Sequence, residues 1–162
     1  MTAHAPSPRT AEEQHRLDEA LRDLFQHRIR FNEVLGLQIE SVSPASVRAR
    51  FEMRPELVGH YLYGRLHGGV ISATLDAMGG LAVTAGIGAK HPHETAEQIM
   101  HRFAKVGTID LRIDFLRPGI GQCFYASAVV TRLGGRVGST QMRLENDSGT
   151  LIATGSAAYM IS

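Results

Sequence analysis

Hydrophobic and polar positions follow two different periods along this chain, and the changes of period mark its elements. From Thr10 or Ala11 the apolar residues Leu17, Leu21, Leu24, Phe25 and Ile29 recur at helical spacing among charged residues, which predicts an amphipathic N-terminal helix. After Gly36 the period drops to two. "LQIESV", a turn around Pro44, and "VRARFEM", with Val47, Ala49, Phe51 and Met53 on one face, predict a strand pair. In the second half, "TIDLRIDFLRPG" alternates Ile109, Leu111, Ile113 and Phe115 with Asp110, Arg112 and Asp114, which predicts one buried and one wet face. "CFYASAVVTRL", "VGSTQMRLEN" and "LIATGSAAYMIS" follow, with turns at Gly134 and Gly135 and around Asp147, Ser148 and Gly149. Connections this short predict an antiparallel meander.

Between the two strand groups runs "GRLHGGVISATLDAMGGLAVTAG", Gly64 to Gly86, apolar and glycine-rich with one acid, Asp76, at its middle. At the centre of a bilayer such an acid costs about 2.5 to 3.5 kcal/mol, so no membrane span is expected. A helix apolar on every side must be enclosed by protein, and the only wall available is the strands on either side of it in sequence. The expected class is therefore α+β, a curved antiparallel sheet wrapped around a central helix, with an extra N-terminal helix. Segment 91–107 is looser, though Ile99, Met100 and Phe103 are spaced for a short second helix. Residues 1–9 lack the apolar stretch of a signal peptide and read as a mobile tail, leaving 10–162 as a single domain.

Composition narrows the class of function. Of 162 residues, 43% are hydrophobic and 20% charged, enough for one enclosed core. The 17 basic and 16 acidic residues are mixed along the chain, so no nucleic-acid footprint is expected. Cys123 is the single cysteine, which excludes an intrachain disulfide and fits a cytoplasmic setting.

Candidate chemistry gathers on the central helix. Gly69, Ser72, Ala73, Gly79 and Gly80 lie near Asp76 at helical spacing and leave room either for a ligand or for close packing against the sheet. "HGG" at His67, Gly68 and Gly69 reads first as a tight loop-to-helix turn. It also puts unpaired N–H groups at the positive end of a helix dipole, where an oxyanion binds. A Ser-His-Asp site of His67, Ser72 and Asp76 fails on distance, since nine helical residues span about 13 Å. "HPHE" at His91 to Glu94 has the composition of a metal site but reads as a solvated loop, and no metal or other cofactor is expected. Arg132 and Arg136 flank the Gly134–Gly135 turn. They are ordinary solvated hairpin arginines in composition, yet their guanidinium forks also suit phosphate oxygens.

"LHGGVISATLDAMGG", "GTIDLRIDFLRPG" and "GTLIATGSAAY" together resemble the hotdog-fold acyl-CoA thioesterases, in their PaaI-like branch, over roughly residues 31–161. The resemblance implies that Asp76 is the general base or nucleophile and that the Gly68 N–H polarises the thioester carbonyl. Thr108 then sits beside the attacking water; His67, the histidine of the motif, is a further catalytic candidate. Apart from the resemblance, Gly69 and Ser72 are candidate substrate contacts from their spacing beside Asp76, and Arg132 and Arg136 from their guanidinium forks. The sequence departs from the resemblance before the motif histidine, where His60 and Tyr61 occupy the positions that hold an Asn in many members. The implied partner is an acyl-CoA, and the implied assembly is a homodimer or a dimer-of-dimers tetramer. Two other classes stand beside hydrolysis: an enoyl-CoA hydratase or dehydratase using His67 or His60, and a non-catalytic acyl-CoA-binding protein.

Overall fold

In the computed structural model, which describes residues 7–162, helix α1 (Ala11–Asp23) runs into a π-helical stretch (Leu24–Arg28) and helix α2 (Arg30–Leu35). The Thr10 side chain caps α1 by accepting from the Glu13 N–H, and Leu17 and Leu21 are its buried stripe. α2 ends on Gly36 at φ 75°, the left-handed conformation that a chain leaving a helix commonly adopts. Residues 1–6 of the expected tail lie outside the described residues. Near the end of that tail, the Arg9 guanidinium donates to the backbone carbonyls of Gly88, His91 and Glu94, tying the start of α1 to the loop after the central helix.

The strand pair is β1 (Gln38–Ser43) and β2 (Ser46–Glu52). A 3-10 turn (Pro55–Leu57) and the small hairpin β3 (Val58–His60) and β4 (Arg65–Leu66) follow. Then come the central helix α3 (Gly68–Lys90), the short helix α4 (Ala96–Phe103), and strands β5 (Gly107–Phe115), β6 (Cys123–Leu133), β7 (Val137–Asn146) and β8 (Leu151–Met160). α4 starts with a capping box, Thr95 and Gln98 each satisfying the other's backbone N–H.

Six strands form one antiparallel sheet in the order β1-β2-β6-β7-β8-β5, and α3 packs across it. By length and mean hydropathy of 1.5 this helix could cross a bilayer, but 67% of its most apolar window is buried inside the fold. Leu75, Met78 and Leu81 are 0% exposed. Each contributes roughly 1.5 to 3 kcal/mol by burial. Beneath α3, Phe51 and Phe124 are register partners whose rings stack 5.3 Å apart. This is the α+β architecture expected, a sheet wrapped on a central helix.

Two expectations are corrected. The last four strands are not a simple meander, because β5 lies on the far edge beside β8 instead of next to β6. Segment 116–122 carries the chain back across the sheet end, anchored by the Leu116 and Arg117 N–H groups on the Ile152 carbonyl. Seven extended residues reach about 23 Å, more than the roughly 14 Å of three strand spacings. Ile109 and Phe115 also leave the buried face assigned to them; Phe115, at the end of the edge strand, is 56% exposed. Thr108 pairs with Tyr159 and Asp110 with Ala158, so Ile109 is the extra residue of a β-bulge and is 56% exposed. The bulge resets the alternation and turns Thr108, in place of Ile109, to the side of Tyr159.

Candidate active site

The front of α3 shows how the "HGG" turn is built. His67 is the N-cap, and its Nδ1 accepts from the Gly69 N–H at 2.8 Å. An accepting Nδ1 puts the ring proton on Nε2. The ring folds so close over the helix start that a Cβ on residue 69 would stand 2.9 Å from Nδ1, so glycine is required there. Gly69 is thus occupied, whereas the Gly68 N–H has no hydrogen-bond partner among the described residues. It is a free donor at the positive end of a 23-residue helix.

Asp76 lies two turns further on. Its Oδ1 accepts from Thr108 Oγ1 at 2.9 Å and from the Tyr159 hydroxyl at 3.2 Å. That hydroxyl also reaches the Asp76 backbone carbonyl at 2.9 Å. Oδ2 has no partner among the described residues and is left open to accept a proton. Thr108 is thus a partner of the carboxylate, with an oxygen lone pair remaining for a water.

Burial pushes the Tyr159 phenol far above the ordinary tyrosine range, and the Asp76 charge and hydrogen bond push the same way, with the Thr140 hydroxyl opposing them in part. Its hydroxyl therefore stays a donor. Unfolded tyrosine ionises near 10 while folded Tyr159 keeps its proton, so the unfolded state binds fewer protons above that pH. The stability this residue contributes is full below about pH 10 and is expected to decline as pH rises beyond it. Denaturant unfolding at about pH 8 and about pH 11 checks this, with Tyr159→Phe expected to lose less stability than the parent across that interval. Equal losses would contradict it.

Beside Asp76 opens a cleft of about 270 Å³. Ala73, Ala77 and Gly80 of α3 form its floor, Phe103 and Val106 one wall, and Phe25, Ile29 and Phe31 the other. Phe25 and Phe103 meet edge to face at 5.5 Å. The Asn32 amide holds the Phe25 carbonyl at 3.0 Å, satisfying the π-helical stretch where its ladder is irregular. The N-terminal segment is therefore part of the site. Its clue in the sequence is that Phe25 and Ile29 continue the apolar stripe just where charged residues thin out.

The other sequence candidates fall apart from this centre. Ser72 Oγ donates to the Gly68 carbonyl at 3.0 Å, and neither Ser72 nor His67 bonds to Asp76. The Arg132–Arg136 hairpin lies by the C-terminal end of α3, where Lys90 Nζ donates to the Gly134 carbonyl. Along the helix that end is about 21 Å beyond Asp76. In the "HPHE" loop, Glu94 pairs with Arg102 through two hydrogen bonds that hold its carboxyl below the usual range. No group of three or more His, Cys, Asp or Glu suited to a metal occurs among the described residues. Tyr159 is the residue the sequence reading missed.

The thioesterase superfamily family model matches residues 63–153, from the hairpin before α3 into β8. The chain belongs to the thioesterase superfamily. It is 34% identical over 139 residues to the medium/long-chain acyl-CoA thioesterase YigI of Salmonella typhimurium, covering 86% of this chain and 90% of that one. The Escherichia coli protein of the same name is 33% identical over the same shares. Among solved structures, a thioesterase-superfamily protein from Shewanella oneidensis superposes with a TM-score of 0.87 at 38% identity, covering 92% of this chain and 97% of that one. The superfamily match takes in Gly68, Asp76 and Thr108, whereas Tyr159 and the N-terminal wall of the cleft lie outside it.

Proposed function

We propose that this thioesterase hydrolyses acyl-CoA esters to the free acid and coenzyme A, with Asp76 as base. The observation that carries the reading is the pairing of a half-held carboxylate with an apolar cleft, Oδ1 fixed by two donors and Oδ2 open. A water on Oδ2 adds to the thioester carbonyl and gives its proton to the carboxylate. The oxyanion that forms is stabilised by a Gly68 N–H. Collapse breaks the C–S bond, and the proton on Asp76 goes to the departing thiolate. His67 acts as a helix cap in this reading, which favours hydrolysis over an enoyl-CoA hydratase that would need its ring as an acid.

The base and the oxyanion donor belong to different subunits. Gly68 and Asp76 are about 12 Å apart along one helix, whereas both must come within about 3 Å of a single carbonyl group. Two copies with their α3 helices antiparallel across a two-fold axis satisfy this. The β5 edge supports such pairing: its outer side is unpaired among the described residues, and nearby Ile109, Phe115, Leu116 and Ile120 are 56%, 56%, 48% and 54% exposed.

The apolar lining of the cleft and the activity named for the YigI relatives support a medium or long acyl chain as the substrate class. Arg132 and Arg136 stay candidates for the phosphates of coenzyme A, because a guanidinium fork suits phosphate oxygens. A panel of acyl-CoA esters with free-thiol detection tests the function directly, turnover rising with chain length and then levelling. Ala77→Leu, filling the cleft floor, is expected to lower kcat/KM for long chains by about tenfold or more while sparing short ones, since each excluded methylene is worth up to about 0.8 kcal/mol. Equal loss for all chain lengths would remove the cleft as the acyl site, and no thiol release from any ester would remove the function.

A further inference from the structure

We propose that Tyr159 is the positioning residue of the catalytic base: together with Thr108 it locks Oδ1 of Asp76, so that Oδ2 alone faces the cleft. The inference rests on the reading of Asp76 as base.

The geometry is specific to this pair of strands. Thr108 and Tyr159 are directly opposite one another in the β5–β8 ladder, and the bulge at Ile109 is what brings Thr108 to the inner face there. The two donors thus come from adjacent positions on a rigid sheet and converge on one oxygen of a helix residue. Tyr159 is 1% exposed, and its single hydroxyl proton is shared between the Asp76 carbonyl at 2.9 Å and the carboxylate Oδ1 at 3.2 Å. One phenol therefore fixes the backbone and the side chain of the same residue together. The helix makes room for it at residue 79, where a Cβ would stand 2.1 Å from the hydroxyl oxygen. Glycine there lets the phenol pass under α3 to the carboxylate.

A short aspartate side chain has two torsions, and two donors on Oδ1 remove most of that freedom before substrate arrives. Among the described residues the polar lining of the cleft besides Asp76, Thr108 and Tyr159 is Asn32, so no other charged side chain there competes for the carboxylate.

The test is Tyr159→Phe, which removes the hydroxyl and keeps the ring. Expected are a fall in kcat of about tenfold with KM within about twofold, since the carboxylate is misplaced while the acyl cleft is untouched. In an Asp76→Asn background the same change is expected to cost less than about twofold, because Tyr159 acts only through the carboxylate. Should Tyr159→Phe not fold, a ring-fluorinated tyrosine placed at 159 keeps the shape and alters only the strength of the donated bond, and is expected to change kcat at constant KM in the parent but not in Asp76→Asn. A folded Tyr159→Phe with unchanged kcat, an equal loss in both backgrounds, or a fluorotyrosine effect equal in both backgrounds overturns the proposal. Full activity in Asp76→Asn alone would instead overturn Asp76 as base.

Discussion

Asp76→Asn is expected to fold normally and to hydrolyse acyl-CoA at least about a hundredfold more slowly than the parent, the usual cost of losing a general base. Asparagine keeps an oxygen where Oδ1 accepts from Thr108 and Tyr159, so the contacts that seat the side chain survive. What disappears is Oδ2, replaced by an NH2 group that donates and cannot take a proton from water. The loss should appear in kcat, with KM little changed, because the apolar cleft that holds the acyl chain is intact. Steady-state kinetics with a thermal midpoint on the same preparation check both parts. Near-normal turnover by the folded variant would remove Asp76 from the mechanism.

Gly68→Pro is expected to be about as damaging, through the opposite partner in the chemistry. Residue 68 is the first residue of α3, the helical position where proline is best tolerated. The preceding His67 has φ −66° and ψ 138°, the extended conformation that a following proline demands. A Cβ at 68 would meet the Phe115 ring at 3.4 Å, an ordinary contact. The substitution should therefore leave the fold in place while deleting the one N–H proposed for the oxyanion, and such a donor is commonly worth about a hundredfold to a thousandfold in kcat. A folded proline variant with normal kcat would move the oxyanion donor elsewhere.

Much of this site can be read in the sequence, for physical reasons. The acid of Asp76 stands out because a charge inside an apolar helix needs a purpose, and period-two alternation gives β6, β7 and β8 to within a residue or two. Alternation tells which face a residue takes but not which strand it pairs with, so the place of β5 on the far edge was not legible. It also cannot show an inserted residue, and the bulge at Ile109 reverses the facing of everything before it. Tyr159 is a core aromatic in the sequence, and its hydroxyl acquires a role only once the register sets it opposite Thr108. The π-helical stretch and α2 were hidden because a helix that widens and restarts keeps nearly the same apolar spacing.

A site shared between two subunits is tested by complementation. Asp76→Asn and Gly68→Pro proteins, each inactive alone, are mixed under conditions that exchange subunits, and differently tagged chains confirm that mixed dimers form. In such a dimer one site carries both defects and the other carries neither. With random exchange about half the dimers are mixed and each holds one good site of two, so about a quarter of the parent activity is expected to return. Folded variants in confirmed mixed dimers that recover no activity would contradict it, and would place the base and the oxyanion donor within one subunit.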